Sequence, residues 1–179
     1  GVLAFALLLG LYGIVRWFRR RTDPLPAVQI VHIVALGLLA VVVGFSWQLI
    51  AGLVTGDSSA YMQTELSWRR GWTGGDGGFV PFEGFVQASA IWFRVWGLSE
   101  PLGYVALGVL VVAVAALLLL EPHVRRLGIE IRLWSASYVI YLLLVFFPQS
   151  STFRLLLPLA PLYGALALPR HPAWRWSVL

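Results

Sequence analysis

Arg154 is the residue of this sequence that is best placed to do chemistry. It lies in residues 148–158 (PQSSTFRLLLP), between two hydrophobic stretches, and follows Gln149, Ser150 and Ser151 closely. A guanidinium beside hydroxyl and amide groups at a membrane surface suits the binding of an anion such as a phosphate. The alternative is an arginine whose side chain only snorkels to lipid headgroups. The sequence favours neither interpretation over the other.

The polar segment 56–100 supplies the remaining candidates. Residues 58–72 predict a short surface helix that places Tyr61, Glu65 and Trp68 on one face. Such a face could line a substrate site, and Glu65 is its candidate for a catalytic base. The alternative, which the spacing favours, is a surface Glu65 that is solvated or forms an ion pair with Arg69 four residues later.

Arg69 and Arg70 follow on the same predicted helix. If the helix lies near Arg154, both cations could converge with it on one phosphate. The helix would be followed by residues 71–79, which hold five glycines in nine positions. No Walker or Rossmann pattern surrounds this run, so a flexible connector is the favoured interpretation.

Several other kinds of site are excluded or disfavoured. The sequence has no cysteine, and its three histidines (His32, His123 and His171) lack the spacing of metal ligands. We therefore expect neither a metal nor a cofactor. The net charge is +5, but all thirteen cations are arginines, mostly at the ends of hydrophobic segments. Membrane topology explains that distribution better than nucleic-acid binding does.

The composition is that of an integral membrane protein. Hydrophobic residues make up 59% of the chain, charged residues 12%, and the mean hydropathy is +0.82. Five segments approach the length of a span, namely 1–18, 27–54, 101–120, 133–148 and 155–168. These features predict an all-α fold, a polytopic transmembrane helical bundle forming a single membrane domain over residues 1–179. An outer loop, 56–100, would hold short interfacial helices, including one over residues 85–97.

The distribution of arginines predicts the orientation. Nine of the thirteen follow the first, third and fifth segments, which places those ends and the C-terminus in the cytoplasm. Arg154 and the loop 56–100 then share the outer face. The first segment begins without a Met and without a charged leader region. We therefore expect the chain to be the C-terminal part of a longer protein.

The last two segments are short and nearly continuous. They predict a tight helical hairpin that bends at residues 149–153 and puts Arg154 at the head of the last helix. Pro158 and Pro161 would kink or loosen that helix in its first turns. A re-entrant pair that does not cross the membrane is the less favoured alternative.

Four motifs carry a resemblance to a known family. They are residues 61–70 (YMQTELSWRR), 80–83 (VPFE), 128–138 (GIEIRLWSASY) and 147–161 (FPQSSTFRLLLPLAP). Together they resemble the C-terminal half of actinobacterial membrane proteins related to the PIG-V-type mannosyltransferases. Those proteins belong to the GT-C superfamily of polytopic glycosyltransferases.

The resemblance implies an outer-face active site that uses a polyprenyl-phosphate sugar donor and a lipid or glycan acceptor, in a plasma membrane. It implies that Arg154 holds the donor phosphate and that the helix 61–70 lines the cavity. It also places the essential acidic residue in an earlier outer loop, upstream of this chain, so activity would depend on that region. A non-catalytic membrane subunit that binds lipid or a larger membrane protein is the alternative, and a transporter is the third choice.

Overall fold

The computed structural model describes residues 1–75, 77–149, 152–169 and 174. Within these residues the secondary structure is helical, and there is no strand. The elements are α1 (Val2–Arg19), α2 (Ala27–Thr55), α3 (Ala60–Thr73), α4 (Glu83–Val95), α5 (Glu100–Leu120), α6 (Pro122–Arg126), α7 (Ile129–Val145), α8 (Thr152–Leu155) and the 3₁₀ helix η1 (Leu157–Ala167). The predicted all-α fold class is confirmed.

Three helices are long and apolar enough to cross a membrane. They are α1 with 18 residues, α2 with 29 and α5 with 21. The chain is a membrane protein with these three candidate spans. α7 has 17 residues and η1 has 11, so both fall short of the about 20 residues of a straight span. The five predicted spans all coincide with helical segments, but in the described part of the chain only α1, α2 and α5 are candidate spans.

α1 and α2 form an antiparallel hairpin that Arg16 fastens at its turn. The Arg16 guanidinium donates hydrogen bonds to the Tyr12 hydroxyl (3.1 Å), the Pro24 carbonyl (3.2 Å) and the Gln29 side-chain oxygen (3.2 Å). It also forms an ion pair with Asp23 at 3.1 Å. These partners hold the arginine at the end of α1 where the sequence predicted a cytoplasmic loop.

α7 is the central helix of the fold. It packs against α1, α4, α5, α6 and η1. The buried cluster at its centre consists of Ala4 of α1 with Tyr138 and Leu142 of α7. Gly128 adopts a left-handed φ of 98° immediately before α7. The helix therefore starts at Ile129, four residues before the start of the predicted span.

The last predicted span, residues 155–168, is not a regular α-helix. α8 ends at Leu155, and the chain continues as the 3₁₀ helix η1 with Pro161 inside it. Proline has no backbone N–H and crowds the preceding turn, which disfavours regular α-helical hydrogen bonding here. The predicted loosening by Pro158 and Pro161 thus extends through the whole segment.

α3 and α4 lie in the segment predicted to be the outer loop. α3 packs on α2 and α4, and α4 packs on α5 and α7. The helices begin two residues away from the predicted starts at 58 and 85, and both short helices are confirmed. Gly74 ends α3 in the left-handed conformation (φ 68°), which glycine adopts without strain.

Candidate functional site

Arg154 lies in α8, beside the middle of α7. The Tyr138 hydroxyl donates a hydrogen bond of 2.7 Å to the carbonyl of Leu155, and the Trp134 indole N–H donates one of 2.7 Å to the carbonyl of Pro158. Tyr138 precedes Val145, the last residue of α7, by seven positions, which is about 10 Å along a helix. The backbone at Arg154 is therefore set back from the end of α7, whereas the sequence placed it at the crest of a hairpin.

The side chain of Arg154 is exposed. No ion pair or hydrogen bond joins it to another residue of the part of the chain that the structure describes. A guanidinium within a membrane is costly unless it reaches water, headgroups or an anion. Among the described residues none accepts a hydrogen bond from this guanidinium, which has five N–H donors.

Gln149 lies at the other end of the short connection between α7 and α8. Its backbone N–H donates to the Thr152 hydroxyl at 3.0 Å, and that hydroxyl donates to the Gln149 carbonyl. The turn is thus closed by the Gln149 backbone and the Thr152 hydroxyl and N–H, and the Gln149 side chain has no hydrogen bond to another described residue. Ser150 and Ser151, which the sequence added to this phosphate site, lie outside the described residues.

An apolar cavity of about 1010 Å³ begins two residues after Arg154. It lies between α5, α6 and η1, and its apolar lining includes Leu117, Val124, Leu156, Leu159, Leu162 and Leu166. The cavity therefore follows η1 from the neighbourhood of Arg154 toward the far end of α5. A long apolar chain would find continuous contact along it.

Glu121 and His123 also line this cavity, at the end away from Arg154. The Glu121 carboxylate accepts a hydrogen bond from the Val124 backbone N–H at 2.5 Å and lies 2.8 Å from Nδ1 of His123. The hydrogen bond from the Val124 N–H has the largest effect on the pKa of Glu121 and lowers it below its usual value, and the His123 side chain lowers it further. The pair caps the start of α6 and marks the polar limit of the cavity.

Arg69 is committed to a network inside the outer segment. Its guanidinium forms an ion pair with Glu83 and donates to the Gln87 side-chain oxygen at 2.7 Å, and Gln87 donates to Glu83 at 2.9 Å. Only 10% of the Arg69 side chain is exposed. The expected ion pair between Arg69 and Glu65 is absent, because α4 offers Arg69 two acceptors in a less hydrated place. α3, which carries Arg69, packs on α2 and α4, whereas α8, which carries Arg154, packs on η1. Convergence of the two arginines on one phosphate therefore stays a prediction.

Arg70 and Trp68 point elsewhere on α3. One Arg70 nitrogen donates a long hydrogen bond of 3.4 Å to the Gly77 carbonyl, while its Nε is buried without a hydrogen-bond partner. The Trp68 side chain is 71% exposed. α3 packs on α2 and α4, so the roles of Arg70 and Trp68 as substrate ligands also stay predictions.

Tyr61 and Glu65 share a face of α3, as predicted. The pKa of the Tyr61 phenol is raised, mainly by burial. The negative charge of Glu65 and a hydrogen bond to its carboxylate raise this pKa further. The phenol of Tyr141 on α7 also lies within electrostatic range of Glu65. Tyr141 is next to Tyr138, with ring centroids 6.4 Å apart, and Tyr138 holds Leu155. A chain of phenol groups on α7 therefore links the candidate base to the segment of Arg154.

Sequence reasoning missed a cluster of three indole rings in the outer segment. Trp72 of α3 lies 5.5 Å from Trp92 of α4, and Trp92 lies 6.2 Å from Trp96, between ring centroids. The sequence showed only that the segment is rich in aromatic residues. The spacing of four residues between Trp92 and Trp96 could have predicted their contact on one helix face. The contact of Trp92 with Trp72 could not be predicted in this way, because Trp72 belongs to another helix, α3.

No family model, no curated protein and no solved structure matches this chain.

Proposed function

We propose that the protein is a mannosyltransferase-like membrane glycosyltransferase that takes its sugar from a polyprenyl-phosphate donor. The observation that carries the proposal is the placement of Arg154, an exposed cation without a described protein partner, next to an apolar cavity of about 1010 Å³. Such a site suits an amphiphile with a phosphate head and a long apolar tail. Snorkelling alone would account for the arginine but not for the adjacent cavity.

The proposed reaction makes limited demands on the protein. The bond between the anomeric carbon of the sugar and the phosphate oxygen breaks, and an acceptor hydroxyl oxygen forms the new bond to that carbon. Arg154 stabilises the charge that develops on the departing phosphate monoester. The proton of the acceptor hydroxyl passes to a base. Among the described residues Glu65 is the candidate for that base, and the family resemblance assigns the role to an acidic residue further upstream.

The site would work at the outer face of a plasma membrane. The multi-pass orientation with a cytoplasmic C-terminus follows from the nine arginines that flank the opposite ends of the spans. The acceptor would be a lipid or a glycan at the cell envelope, and the surrounding membrane lipids would complete the wall of the site.

A second function is favoured by the surface of α2. Only Ala40 of its 29 residues is buried, so most of the helix is free to contact lipid or another membrane protein. On this view the chain is a non-catalytic subunit that packs against a larger membrane partner or binds lipid. Two results would favour this second function. The protein would co-purify with a stoichiometric membrane partner, and deleting its gene would leave sugar transfer intact.

The cavity offers a direct test of the first function. Ala165 lines the cavity, whereas Ala167, two residues on in η1, does not. In the full-length protein reconstituted in liposomes, Ala165→Trp should fill the cavity and raise the KM for a radiolabelled mannosyl-phosphoryl polyprenol. Ala167→Trp is the matched control and should leave the KM unchanged. Absence of any transfer by the wild-type protein, or equal KM values for both variants, would refute the proposal.

A further inference from the structure

The indole rings of Trp72, Trp92 and Trp96 form one surface, which we call the tryptophan platform. Adjacent rings are tilted by 40° and 34° to each other, and Phe93 supports Trp96 at 5.6 Å between centroids. The platform is open on its outer side, because Trp72 is 47% and Trp96 63% exposed. Large flat rings are thus held together by the protein and presented to the surroundings.

The platform is anchored to the candidate donor site. The central indole N–H, that of Trp92, donates a hydrogen bond of 3.0 Å to the carbonyl of Pro148. Pro148 directly precedes Gln149 in the connection that leads to Arg154. The rings therefore lie beside one end of the segment whose other end carries the proposed phosphate ligand.

A fixed carboxylate accompanies the rings. Glu83 accepts hydrogen bonds from Arg69 and Gln87, and 36% of its side chain remains exposed. A carboxylate has about four acceptor positions, so two remain for a ligand. Arg69 precedes Trp72 by three residues on α3, which puts the ion pair and the platform on neighbouring parts of the same helix face.

We propose that the tryptophan platform binds a sugar ring of an oligosaccharide acceptor, and that Glu83, whose ion-pair partner Arg69 lies about one turn before Trp72 on α3, accepts a hydrogen bond from the same glycan. A pyranose has an apolar face of C–H groups that packs on an aromatic ring and a rim of hydroxyls that donate to a carboxylate. This inference rests on the proposed function only for the statement that the bound glycan is the acceptor. The binding itself is a separate property of the surface.

The orientation of the rings favours a glycan over a membrane interface. An interfacial tryptophan buries its ring and turns the indole N–H toward headgroups. Here the N–H of the central ring is used inside the protein, and the rings pack on one another. The partly buried ion pair of Arg69 with Glu83 also joins α3 and α4, the helices that carry the rings of Trp72 and Trp92.

The chain provides a matched pair of residues for the test. Trp47 of α2 and Trp72 of α3 are both exposed, at 65% and 47%, but only Trp72 belongs to the platform. The probe is soluble mannotetraose, and its binding to the full-length protein in detergent is followed by ligand-observed NMR titration. Loss of one stacking ring, in Trp72→Leu or in Trp96→Leu, should weaken binding roughly threefold to tenfold. Trp47→Leu should leave the affinity unchanged.

Two results would overturn the inference. One is failure of the folded wild-type protein to bind the oligosaccharide, or equal weakening by Trp47→Leu. The other is that, in nanodiscs, headgroup-brominated lipid quenches wild-type fluorescence and Trp72→Leu abolishes that quenching, which would assign the ring to the lipid interface. A transfer assay separates this inference from the proposed function, since Trp72→Leu should raise the KM for the acceptor and not that for the donor. If the wild type transfers no sugar, the function fails while the titration still decides the platform.

Discussion

Gly103 of α5 lies directly against the carbonyl oxygen of Ser89 in α4. A Cβ at Gly103 would fall well inside van der Waals contact with that oxygen, and the oxygen belongs to the backbone, which cannot rotate away. The close approach brings the outer helix α4 onto the start of the span α5. A second glycine, Gly84, lets the start of α4 approach the carbonyl of Phe146 in the same way. α4 is therefore positioned by two close contacts, one with Gly103 at the start of α5 and one with Phe146 directly after α7.

The first prediction concerns this packing. Gly103→Ala should destabilise the protein by about 1–3 kcal/mol, because α4 and α5 must separate to admit the methyl group. Gly108→Ala is the matched control on the same helix, where no other atom lies within 4 Å of the added Cβ. It should be neutral or stabilise by up to about 1 kcal/mol, the difference in helix propensity. Unfolding in detergent measures both, and equal stability of the two variants would contradict the described contact.

The second prediction concerns the ion pair between α3 and α4. Arg69→Met should cost about 2–4 kcal/mol, because it leaves the partly buried Glu83 and Gln87 without their donor. Arg94→Met removes the exposed pair with Glu100, whose side chains are 66% and 45% exposed. That change should cost less than about 1 kcal/mol.

The same unfolding measurement ranks the two arginine variants. The double change Arg69→Met with Glu83→Met should recover part of the loss, since no unpaired charge remains. A larger effect of Arg94→Met than of Arg69→Met would show that the network does not hold the outer segment.

The third prediction concerns orientation, and the absence of cysteine makes it simple to test. A single cysteine at Gly75, in the connection after α3, should react with a membrane-impermeant maleimide in intact cells. A single cysteine at Thr22, in the turn between α1 and α2, should react only after the cells are permeabilised. The reverse pattern would invert the topology and move Arg154 to the cytoplasmic side.

The sequence was sufficient for much of the architecture. Segments such as 27–54 and 101–120 carry a hydrophobic signal long enough to fix a helix by itself, and both were located to within one residue. The short outer helices were found because their polar and aromatic residues repeat with helical spacing. The sequence did not predict the 3₁₀ helix Leu157–Ala167, because a hydrophobic run with Pro158 and Pro161 does not distinguish an α-helix from a 3₁₀ helix.

The candidate site was predicted less completely. The choice of Glu65 as the partner of Arg69 used local spacing, while the structure uses Glu83, fourteen residues away. The contact of Trp72 with Trp92 has the same origin, because it depends on how α3 and α4 pack. Long-range partners of this kind follow from tertiary packing, which periodicity along one helix does not encode. By contrast, Arg154 could be singled out from its immediate neighbours alone.

Binding of an isoprenoid phosphate to Arg154 tests the central claim most directly. Farnesyl phosphate and farnesol differ only in the phosphate, so the pair separates headgroup recognition from binding of the tail. Arg154→Gln should weaken farnesyl phosphate binding by about tenfold or more, the value of charge-assisted hydrogen bonds, and leave farnesol binding unchanged. Arg94→Gln is the control for loss of one exposed positive charge and should affect neither ligand. Unchanged farnesyl phosphate affinity in Arg154→Gln, or an equal loss for farnesol, would contradict the account.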